Sequence, residues 1–421
     1  MYQWYKIITY LLYPFAPLYL FFRKFRKKED EIRYREKLSK ISISRNNGIL
    51  VWFHVASVGE AMSILPLIEN CIEDEKINNI LVTSITLSSG KILEKKYKKN
   101  TKVLHQFLPL DVPIFIKKFL DHWKPDLSIF VDSEIWPNLI SQISEKKIPL
   151  VLVNARMTKK SFKRWVFFKN FSKKIFEKFD LCIASNKESE KFLKILGVRN
   201  IKNFGNLKFS NIKKDSNIHL DPSLLEKIKN RVIWCAASTH PSEEIFCAEA
   251  HLIIKKKYNN VLTIIIPRHV ERTSVIAKDL SNLNLKVSNY SEKDLIDEKT
   301  DILLVDTYGE TTKFYNLSKC AFIGKSLVKS LIMDSGQNPI EPARMGCKIF
   351  HGPNISNFTE IYEYLKNLGV TKKINDSEEL GISVVEVLKK DRDNSGEIKE
   401  KIENYGQNIF NNVIIELKKY I

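Results

Sequence analysis

The chain has 421 residues and a formal net charge of +19. A chain of this length usually forms more than one hydrophobic core, so we expect two domains. Hydrophobic residues make up 44% of the chain and charged residues 28%, a composition that excludes an intrinsically disordered protein. The positive charge indicates anionic partners such as phosphates, acidic lipids or nucleic acid, although a lysine-rich compositional bias contributes to it.

The apolar stretch from Ile7 to Phe22 is followed directly by a cluster of basic residues. It is short against the ~20 residues that span a bilayer, and Pro14 and Pro17 interrupt it. Apolar residues before basic ones reverse the order of a signal peptide. We predict a membrane anchor with its basic flank over residues 1–28, either spanning the bilayer or lying in its interface, with the basic cluster on the cytoplasmic side. The alternative is an ordinary buried first helix.

A second basic and aromatic stretch covers residues 159–178. Lysines interleaved with phenylalanines suit an anionic membrane surface, and they would also suit single-stranded nucleic acid. The alternative is a helix whose aromatic side chains lie in the core and whose lysines face solvent.

Apolar strands alternate with helical patterns along the rest of the chain, which predicts two doubly wound α/β domains with parallel sheets. We place the domains at 29–212 and 213–395, joined in the polar stretch 211–222, with a C-terminal helix at 396–421. The predicted strands are Ile49–His54, Ile80–Thr83, Leu127–Val131, Pro149–Val153, Leu181–Ala184, Ile201–Phe204, Val232–Ala236, Val261–Pro267, Ile302–Val305, Cys320–Ile323 and Lys348–Phe350.

The most informative segment is Trp52–Glu60, where an apolar strand breaks into Ser-Val-Gly and a carboxylate follows at the start of a helix. This arrangement places Glu60 at the carboxyl edge of a parallel sheet, where open α/β sheets bind ligands. A carboxylate there is a candidate general base. The alternative is that Glu60 only stabilises the helix N-terminus, whose dipole favours an anion.

Polar residues also follow several strands of the second half. Ser238 and Thr239 could cap a helix or hold a phosphate, and Arg268 with the histidine after it suits a phosphate or a carboxylate. Glu341 could bind a ribose or complete a capping box. Together these strand ends predict a nucleotide site. Neither a Gly-x-x-x-x-Gly-Lys phosphate loop nor a complete Gly-x-Gly-x-x-Gly fingerprint is in the sequence.

No feature of the sequence predicts a metal site. The six cysteines form no Cys-x-x-Cys pair and no zinc spacing with histidine, and they fit buried free thiols in a reducing compartment. The one Asp-x-Asp, at 391–393, lies in a charged helical region, and we interpret it as solvated surface.

Eight segments, in one order over about residues 1–370, resemble the 3-deoxy-D-manno-octulosonic acid (Kdo) transferases of lipopolysaccharide assembly. They are Phe53–Glu60, Ser133–Leu139, Val153–Met157, Gly205–Phe209, Ala237–His240, Pro267–His269, Asp306–Glu310 and Asn338–Pro342. The resemblance implies a GT-B fold, in which two Rossmann-like domains face across a cleft, with an N-terminal membrane-anchor helix. It also implies an inverting, metal-independent glycosyltransferase without a cofactor, which moves Kdo from CMP-Kdo to a lipid A precursor (lipid IVA) at the cytoplasmic side of the inner membrane.

The resemblance also implies roles for individual residues. Glu60 would take the proton from the primary hydroxyl of the distal glucosamine. The residues that would bind the acceptor or Kdo are Ser57, Gly59, Glu134, Asn138, Arg156 and Lys208. The residues that would bind the CMP part of the donor are Ser238, Thr239, His240, Pro267, Arg268, His269, Gly309, Glu310, Ser326, Asn338 and Glu341.

Three positions depart from the family pattern. Asp132 stands where the family often has Glu, and Lys325 and Ser335 stand where glycine is common. A residue other than glycine there restricts the left-handed backbone conformation.

Three other functions remain open from the sequence. They are a different GT-B enzyme such as a nucleotide-sugar epimerase, a membrane- or nucleic-acid-binding module without catalysis, and a lipid carrier. We expect no specific binding of nucleic acid, because the charge alone does not explain the position of Glu60.

Overall fold

A computed structural model describes residues 1–210, 220–292, 296–328, 335–390 and 395–421. Its strands are β1 (Ile49–Val55), β2 (Ile77–Ser84), β3 (Val103–Phe107), β4 (Leu127–Val131), β5 (Leu150–Ala155), β6 (Leu181–Ala184), β7 (Ile201–Asn203), β8 (Val232–Thr239), β9 (Val261–Pro267), β10 (Val287–Asn289), β11 (Ile302–Leu304), β12 (Cys320–Ile323), β13 (Lys348–His351) and β14 (Thr371–Lys373).

Its α-helices are α1 (Tyr2–Leu11), α2 (Ala16–Phe25), α3 (Val58–Glu73), α4 (Leu87–Tyr97), α5 (Pro113–Trp123), α6 (Pro137–Glu145), α7 (Lys159–Phe167), α8 (Lys169–Phe176), α9 (Lys187–Leu196), α10 (Pro222–Ile228), α11 (Glu243–Lys255), α12 (Thr273–Ser281), α13 (Thr311–Leu317), α14 (Ile340–Arg344), α15 (Thr359–Asn367), α16 (Ser377–Leu388) and α17 (Ser395–Leu417).

Two α/β units make up the chain. The first comprises Met1–Ile212 with Tyr405–Ile421, and the second comprises Lys213–Asn404. The first unit holds a seven-stranded sheet in the order β3-β2-β1-β4-β5-β6-β7, and the second holds one in the order β10-β11-β9-β8-β12-β13-β14. The strand pairs of both sheets are parallel. The prediction of two parallel-sheet α/β domains is therefore confirmed.

Burial explains which strands the sequence revealed. Every residue of β4, β5 and β9 is buried, which gives the continuous apolar runs typical of strands covered on both faces. Every predicted strand is present, but β3, β10 and β14 were not predicted. Each of these three lies at an edge of its sheet and carries polar or exposed residues, so its sequence lacks the apolar signal.

The N-terminal apolar stretch forms two helices, α1 and α2, with a short 3-10 helix at Tyr13–Phe15 between them. Pro14 accounts for the break, because proline cannot supply a backbone N–H to a continuing helix. No residue of α1 is buried, so α1 is not an ordinary core helix. Within the described ranges, we find no helix whose length and apolarity would let it cross a membrane.

Buried contacts fix α2 to the first unit. Ala16 and Leu20 pack in a small apolar cluster with Leu38. The buried carboxylate of Glu29 pairs with Arg23 at 2.6 Å and with the buried Lys37 at 2.6 Å. Breaking such a pair would leave an uncompensated buried charge, so this triad holds α2 in one place.

The basic and aromatic stretch 159–178 forms the helices α7 and α8. Phe162, Trp165 and Phe171 pack against the core, as the structural alternative requires. Phe167, however, is 81% exposed at the end of α7, and Phe168 follows it in an exposed position. In this stretch some aromatic side chains therefore pack on the core, whereas Phe167 and Phe168, at the junction of α7 and α8, are exposed near basic residues.

The predicted C-terminal helix is present as α17, and its stripe of Ile402, Ile409 and Val413 is buried. Its second half belongs to the first unit, where Gly406 faces the backbone of Phe209. A side chain at Gly406 would come within 2.2 Å of the Phe209 carbonyl oxygen, so glycine is required for this close approach.

Two sequence predictions concern residues with little or no description in the structure. The Asp-x-Asp at 391–393 lies outside the described residues, as does most of the polar stretch 211–222. All six cysteines are described, and each one is a buried thiol that forms no disulfide.

Candidate functional site

Each sheet has one point at which the strand order reverses. The two strands that meet at this point leave a crevice at their carboxyl ends. In the first unit the reversal lies between β1 and β4, and in the second unit it lies between β8 and β12. Glu60 follows β1 and Glu134 follows β4. The segment Ser238–His240 ends β8, and Lys325 follows β12. Each unit therefore has predicted site residues at the point where such folds bind ligands.

Glu60 is held by the turn that precedes α3. The Ala56 N–H donates to Glu60 Oε2 at 2.7 Å and the Ser57 hydroxyl donates to Oε1 at 2.8 Å, while the Glu60 N–H donates to Ser57 Oγ at 3.4 Å. This arrangement is a variant of the capping box, in which the Glu60 side chain accepts from the N–H of Ala56 instead of that of the N-cap residue Ser57. The structural role considered for Glu60 is thus present, and it also fixes the carboxylate in one orientation.

Burial raises the pKa of Glu60 to about 8, and the negative charges of Asp132 and Glu134 act in the same direction. A carboxylate with a pKa close to the working pH is a stronger proton acceptor than an ordinary glutamate. The site therefore gives Glu60 the property that a general base needs.

Glu134 lies at the end of a chain of buried hydrogen bonds. Its Oε2 accepts from Trp136 Nε1 at 2.8 Å and lies 3.3 Å from His54 Nε2. On the other side of the imidazole, His54 Nδ1 lies 3.0 Å from Thr83 Oγ1, which accepts from Trp52 Nε1 at 2.9 Å. Although burial opposes ionisation, these donors hold the pKa of Glu134 below its usual value.

Asp132, Arg156 and Lys208 come together from three segments of the first unit. Burial raises the pKa of Asp132, although the charges of Lys208 and Arg156 act in the opposite direction. Asp132 has a left-handed backbone with φ of 60°, and Asn154, at the end of β5, has φ of 50°. Residues other than glycine rarely adopt this conformation, and it concentrates at functional sites.

Asn154 was missed as a site residue, although it lies within a segment that carried the resemblance. Its side-chain oxygen accepts from the Leu207 N–H at 3.0 Å, and Asn206 Oδ1 accepts from the Lys208 N–H at 3.0 Å. The ring of Phe209 packs edge-on against Tyr405 of α17. These contacts fix the segment that presents Lys208.

The structure corrects the acceptor-binding prediction for Asn138. This residue is fully buried, and its side-chain amide donates to Thr9 Oγ1 at 2.9 Å and to the Asp111 carbonyl oxygen at 2.7 Å. A side chain without exposed surface cannot touch a substrate, so Asn138 has a structural role. Ser57 and Gly59 are exposed beside Glu60, where a substrate can reach them.

A basic cluster lies at the carboxyl edge of the second sheet. Burial lowers the pKa of His240, and the charges of Lys325, His269 and Arg268 act in the same direction. The His240 and His269 rings are 5.8 Å apart between centroids, and the Arg268 N–H donates to the Thr239 carbonyl oxygen. Four basic side chains at a strand-order reversal are suited to an anion. Lys325, a departure from the family pattern, adds one of these charges.

Glu243, at the start of α11, was not predicted as a site residue. Its Oε1 accepts from the N–H groups of Ser326 and Leu327, both at 2.9 Å. Its Oε2 accepts from the N–H groups of His240 at 2.9 Å and Lys325 at 2.7 Å. One buried carboxylate thus joins the segments that follow β8 and β12. These four amides already have an acceptor, so they are not free to bind an anion.

The structure also corrects the prediction for Ser326. Ser326 is fully buried, and its hydroxyl donates to the Ile323 carbonyl oxygen at 2.7 Å and accepts from the Gly352 N–H at 2.9 Å. Thr239 is likewise fully buried and Pro267 is buried, so their side chains have almost no exposed surface. Of the predicted serine and threonine residues in this unit, Ser238 keeps some exposure, with φ of 56°.

The remaining predicted donor residues lie between β11 and α13, just before α14, and in the first turn of α14. Glu341 Oε1 accepts from the Thr312 hydroxyl at 2.6 Å, which gives the carboxylate a fixed direction. Glu310 pairs with Lys313 at 2.7 Å, and Gly309 is exposed with φ of 88°. Asn338 is exposed and its side-chain oxygen accepts from the backbone N–H of residue 340.

Comparison with known proteins decides the family. Residues 32–211 match the family model described as 3-deoxy-D-manno-octulosonic-acid transferase (kdotransferase). The 3-deoxy-D-manno-octulosonic acid transferase of Rickettsia bellii is 36% identical over 405 residues, which cover 96% of this chain and 94% of that protein. The chain belongs to the Kdo transferase family. The transferase of Haemophilus influenzae is 31% identical over 417 residues, which cover 97% of this chain and 95% of that protein.

Membership in this family makes the protein a glycosyltransferase of lipopolysaccharide biosynthesis, and a module without catalysis is excluded. Solved structures agree in fold. A UDP-GlcNAc 2-epimerase from Neisseria meningitidis has a TM-score of 0.54 at 13% identity, covering 87% of this chain and 100% of its own. A glycosyltransferase from Rickettsia africae has a TM-score of 0.53 at 13% identity, covering 89% of this chain and 98% of its own. At these identities the likeness concerns the fold alone.

The pKa of Glu60 leads to a prediction about pH. Because the carboxylate form accepts the proton, kcat/KM of this transferase should rise as the pH is raised through about 8. Asp132→Asn removes a negative neighbour and keeps a residue that tolerates the left-handed backbone. The pKa of Glu60 should therefore fall, and the rise in kcat/KM should move to lower pH.

The matched control is Asp121→Asn, which changes an exposed carboxylate on α5 and should leave the profile in place. Profiles of kcat/KM for the three proteins between pH 5 and 10 would decide the matter. A rise that stays at the same pH in Asp132→Asn, or moves to higher pH, would contradict the coupling of Asp132 to Glu60.

Proposed function

We propose that this chain transfers Kdo from CMP-Kdo to a lipid A precursor, lipid IVA, with inversion at the anomeric carbon. The observation that carries the proposal is the fixed, partly buried carboxylate of Glu60 at the strand-order reversal of the first sheet, with its pKa raised to about 8. Membership in the Kdo transferase family supports the identity of the transferred sugar.

In the proposed reaction Glu60 takes the proton from the primary hydroxyl of the distal glucosamine. The acceptor oxygen then forms a bond to the anomeric carbon of Kdo, while the bond from that carbon to the phosphate oxygen of CMP breaks. Attack from the face opposite to the leaving group inverts the anomeric configuration. Glu134, held by Trp136 and His54, would accept a hydrogen bond from another acceptor hydroxyl.

We propose that the basic cluster of the second unit receives the phosphate of CMP. Arg268 and Lys325 would neutralise the charge that develops on the leaving group, the role that a metal ion has in other transferases, and the imidazoles of His240 and His269 would donate hydrogen bonds to it. We therefore propose a reaction without a metal or a cofactor. Glu341, oriented by Thr312, would accept hydrogen bonds from the ribose hydroxyls.

Kdo itself carries a carboxylate, and we propose that Arg156 and Lys208 pair with it. Both act electrostatically on Asp132, which partly balances their charge before the sugar arrives. A guanidinium and an ammonium at one place can bind a carboxylate through charge-assisted hydrogen bonds.

We further propose that α1 and α2 anchor the protein in the interface of an anionic inner membrane, on its cytoplasmic side. Trp4, Leu11 and Phe25 are 68%, 64% and 83% exposed, so each helix presents apolar side chains that the described part of the chain leaves uncovered. The exposed Phe167 of α7 lies among basic residues, and Phe171 of α8 packs beside α1. Aromatic residues next to lysines are typical of proteins that lie on anionic bilayers. No specific nucleic acid partner is proposed.

The direct test of this function is transfer of Kdo from CMP-Kdo to the tetra-acylated lipid A precursor, followed by analysis of the product. We expect a Kdo-modified lipid and one equivalent of CMP, no transfer from UDP-sugars, and no loss of rate with EDTA. NMR of the product should show the inverted anomeric configuration. Retention of configuration, or a preference for a UDP-sugar, would contradict the proposal.

Glu243 provides a second test, which concerns the donor. In Glu243→Gln one carboxylate oxygen becomes an NH₂ group, so two of the four backbone N–H groups lose their acceptor. Each unsatisfied group costs about 1–3 kcal/mol, and the two loops should shift. We expect the KM for CMP-Kdo to rise about tenfold or more, while the KM for the lipid acceptor stays nearly unchanged.

The control for this test is Glu249→Gln, which changes an exposed carboxylate on the same helix. If a folded Glu243→Gln protein kept the KM of the wild type for CMP-Kdo, Glu243 would have no part in arranging the donor loops. An equal rise in both KM values would indicate general structural damage instead.

A further inference from the structure

Helix α1 packs on the protein through a polar face. Tyr2, Tyr5 and Thr9 share the partly buried face, whereas Trp4 and Leu11 on the opposite face are largely exposed. This reverses the usual arrangement of an amphipathic helix, which buries its apolar face in the protein. Hydrogen bonds therefore contribute strongly to the specificity with which α1 docks.

The docking bonds of α1 converge on Asp111. The Tyr5 hydroxyl donates to Asp111 Oδ2 at 2.8 Å. Thr9 Oγ1 accepts from the side-chain amide of Asn138, which also donates to the Asp111 carbonyl oxygen. Asp111 is only 9% exposed, so these bonds are shielded from water and geometrically demanding.

The same Asp111 carboxylate fixes the beginning of α6. Trp136 at the N-cap makes no side-chain capping bond. Instead, Asp111 Oδ2 accepts from the Asn138 N–H at 3.0 Å, and Oδ1 accepts from the Leu139 N–H at 2.8 Å. A carboxylate at this position satisfies two free amides and interacts favourably with the helix dipole. Asp111 thus acts as the N-cap of α6 from a distant part of the chain.

The start of α6 follows directly on Glu134 and Trp136, where the Trp136 indole N–H donates to the Glu134 carboxylate at 2.8 Å. A shift of the first turn of α6 would therefore move the residues proposed to bind the acceptor. The hydrogen bonds run without interruption from Tyr5 of α1 through Asp111 to the backbone of Asn138.

We propose that Tyr5 and Asp111 are positioning residues that couple the lipid-seated helix α1 to the acceptor segment 134–136. With α1 in the interface, this link sets the place of Glu134 relative to the bilayer in which the acceptor is embedded. The inference rests on the proposed function, because it takes the acceptor to be a membrane lipid bound near Glu134.

The test compares the full-length wild type with Tyr5→Phe and with Tyr10→Phe, which changes an exposed tyrosine on the same helix. Tyr5→Phe removes only the hydroxyl and keeps the ring that packs beside Phe171. The lipid A precursor is offered either in vesicles of phosphatidylethanolamine and phosphatidylglycerol or in detergent micelles. Cosedimentation with the same vesicles measures membrane binding.

For Tyr5→Phe we expect kcat/KM to fall about tenfold with the vesicle-borne acceptor, as loss of a hydrogen bond to a buried carboxylate predicts. The rate with micellar acceptor, the KM for CMP-Kdo and the vesicle binding should stay within about twofold of the wild type. Asp111→Asn, which keeps one acceptor oxygen, should show the same selective loss, and Tyr10→Phe should show none.

An equal fall with both forms of the acceptor would overturn the coupling and mark Tyr5 as a general stability residue. Unchanged activity in Tyr5→Phe, or a loss explained entirely by weaker vesicle binding, would also overturn it. If the wild type transferred no Kdo to either form, the proposed function would fail and this inference would fail with it, an outcome distinct from a failure seen only in the variants.

Discussion

The reversal of strand order beside β1 and β8 is the constraint on which both candidate sites depend. At each reversal the connections on either side leave in opposite directions, and the carboxyl ends of two adjacent strands remain open. Glu60 and Glu134 follow such a pair in the first unit, and His240 and Lys325 follow the other pair in the second. The first unit thus has an acidic edge, where we propose the general base, and the second unit has a basic edge, where we propose the phosphate site.

Buried side-chain oxygens hold the segments at these edges. Asp111 caps α6, Asn154 accepts from the backbone of Leu207, and Glu243 accepts from four backbone amides. Several turns here have left-handed backbones at residues other than glycine, including Asp132 and Lys325. Such conformations cost free energy, and they persist where the surrounding bonds leave no alternative. The result is a set of segments whose positions are fixed before a substrate binds.

The sequence predicted the core of the fold better than its edges. The buried central strands have apolar runs, whereas β3, β10 and β14 have mixed residues that resemble loops. The position of Glu60 was predictable because a strand, a glycine turn and a helix follow one another locally. The roles of Asn138 and Glu243 were not, because they depend on partners far away in the sequence. Ser326 was assigned to the donor site by the family resemblance, but its hydroxyl donates to the nearby Ile323 carbonyl oxygen. Pro14 in the sequence indicated the break between α1 and α2. That many of their apolar side chains point outward was visible only in the structure.

The measurement that tests the account most directly is the rate of CMP release from CMP-Kdo with the lipid A precursor, for the wild type and Glu60→Gln. Glutamine suits the capping box, so the fold and the helix start should be retained. The account predicts that the rate falls on the order of a hundredfold or more, because the amide cannot take the proton. Equal rates in the two proteins would contradict the assignment of Glu60 as the base and would direct attention to Glu134.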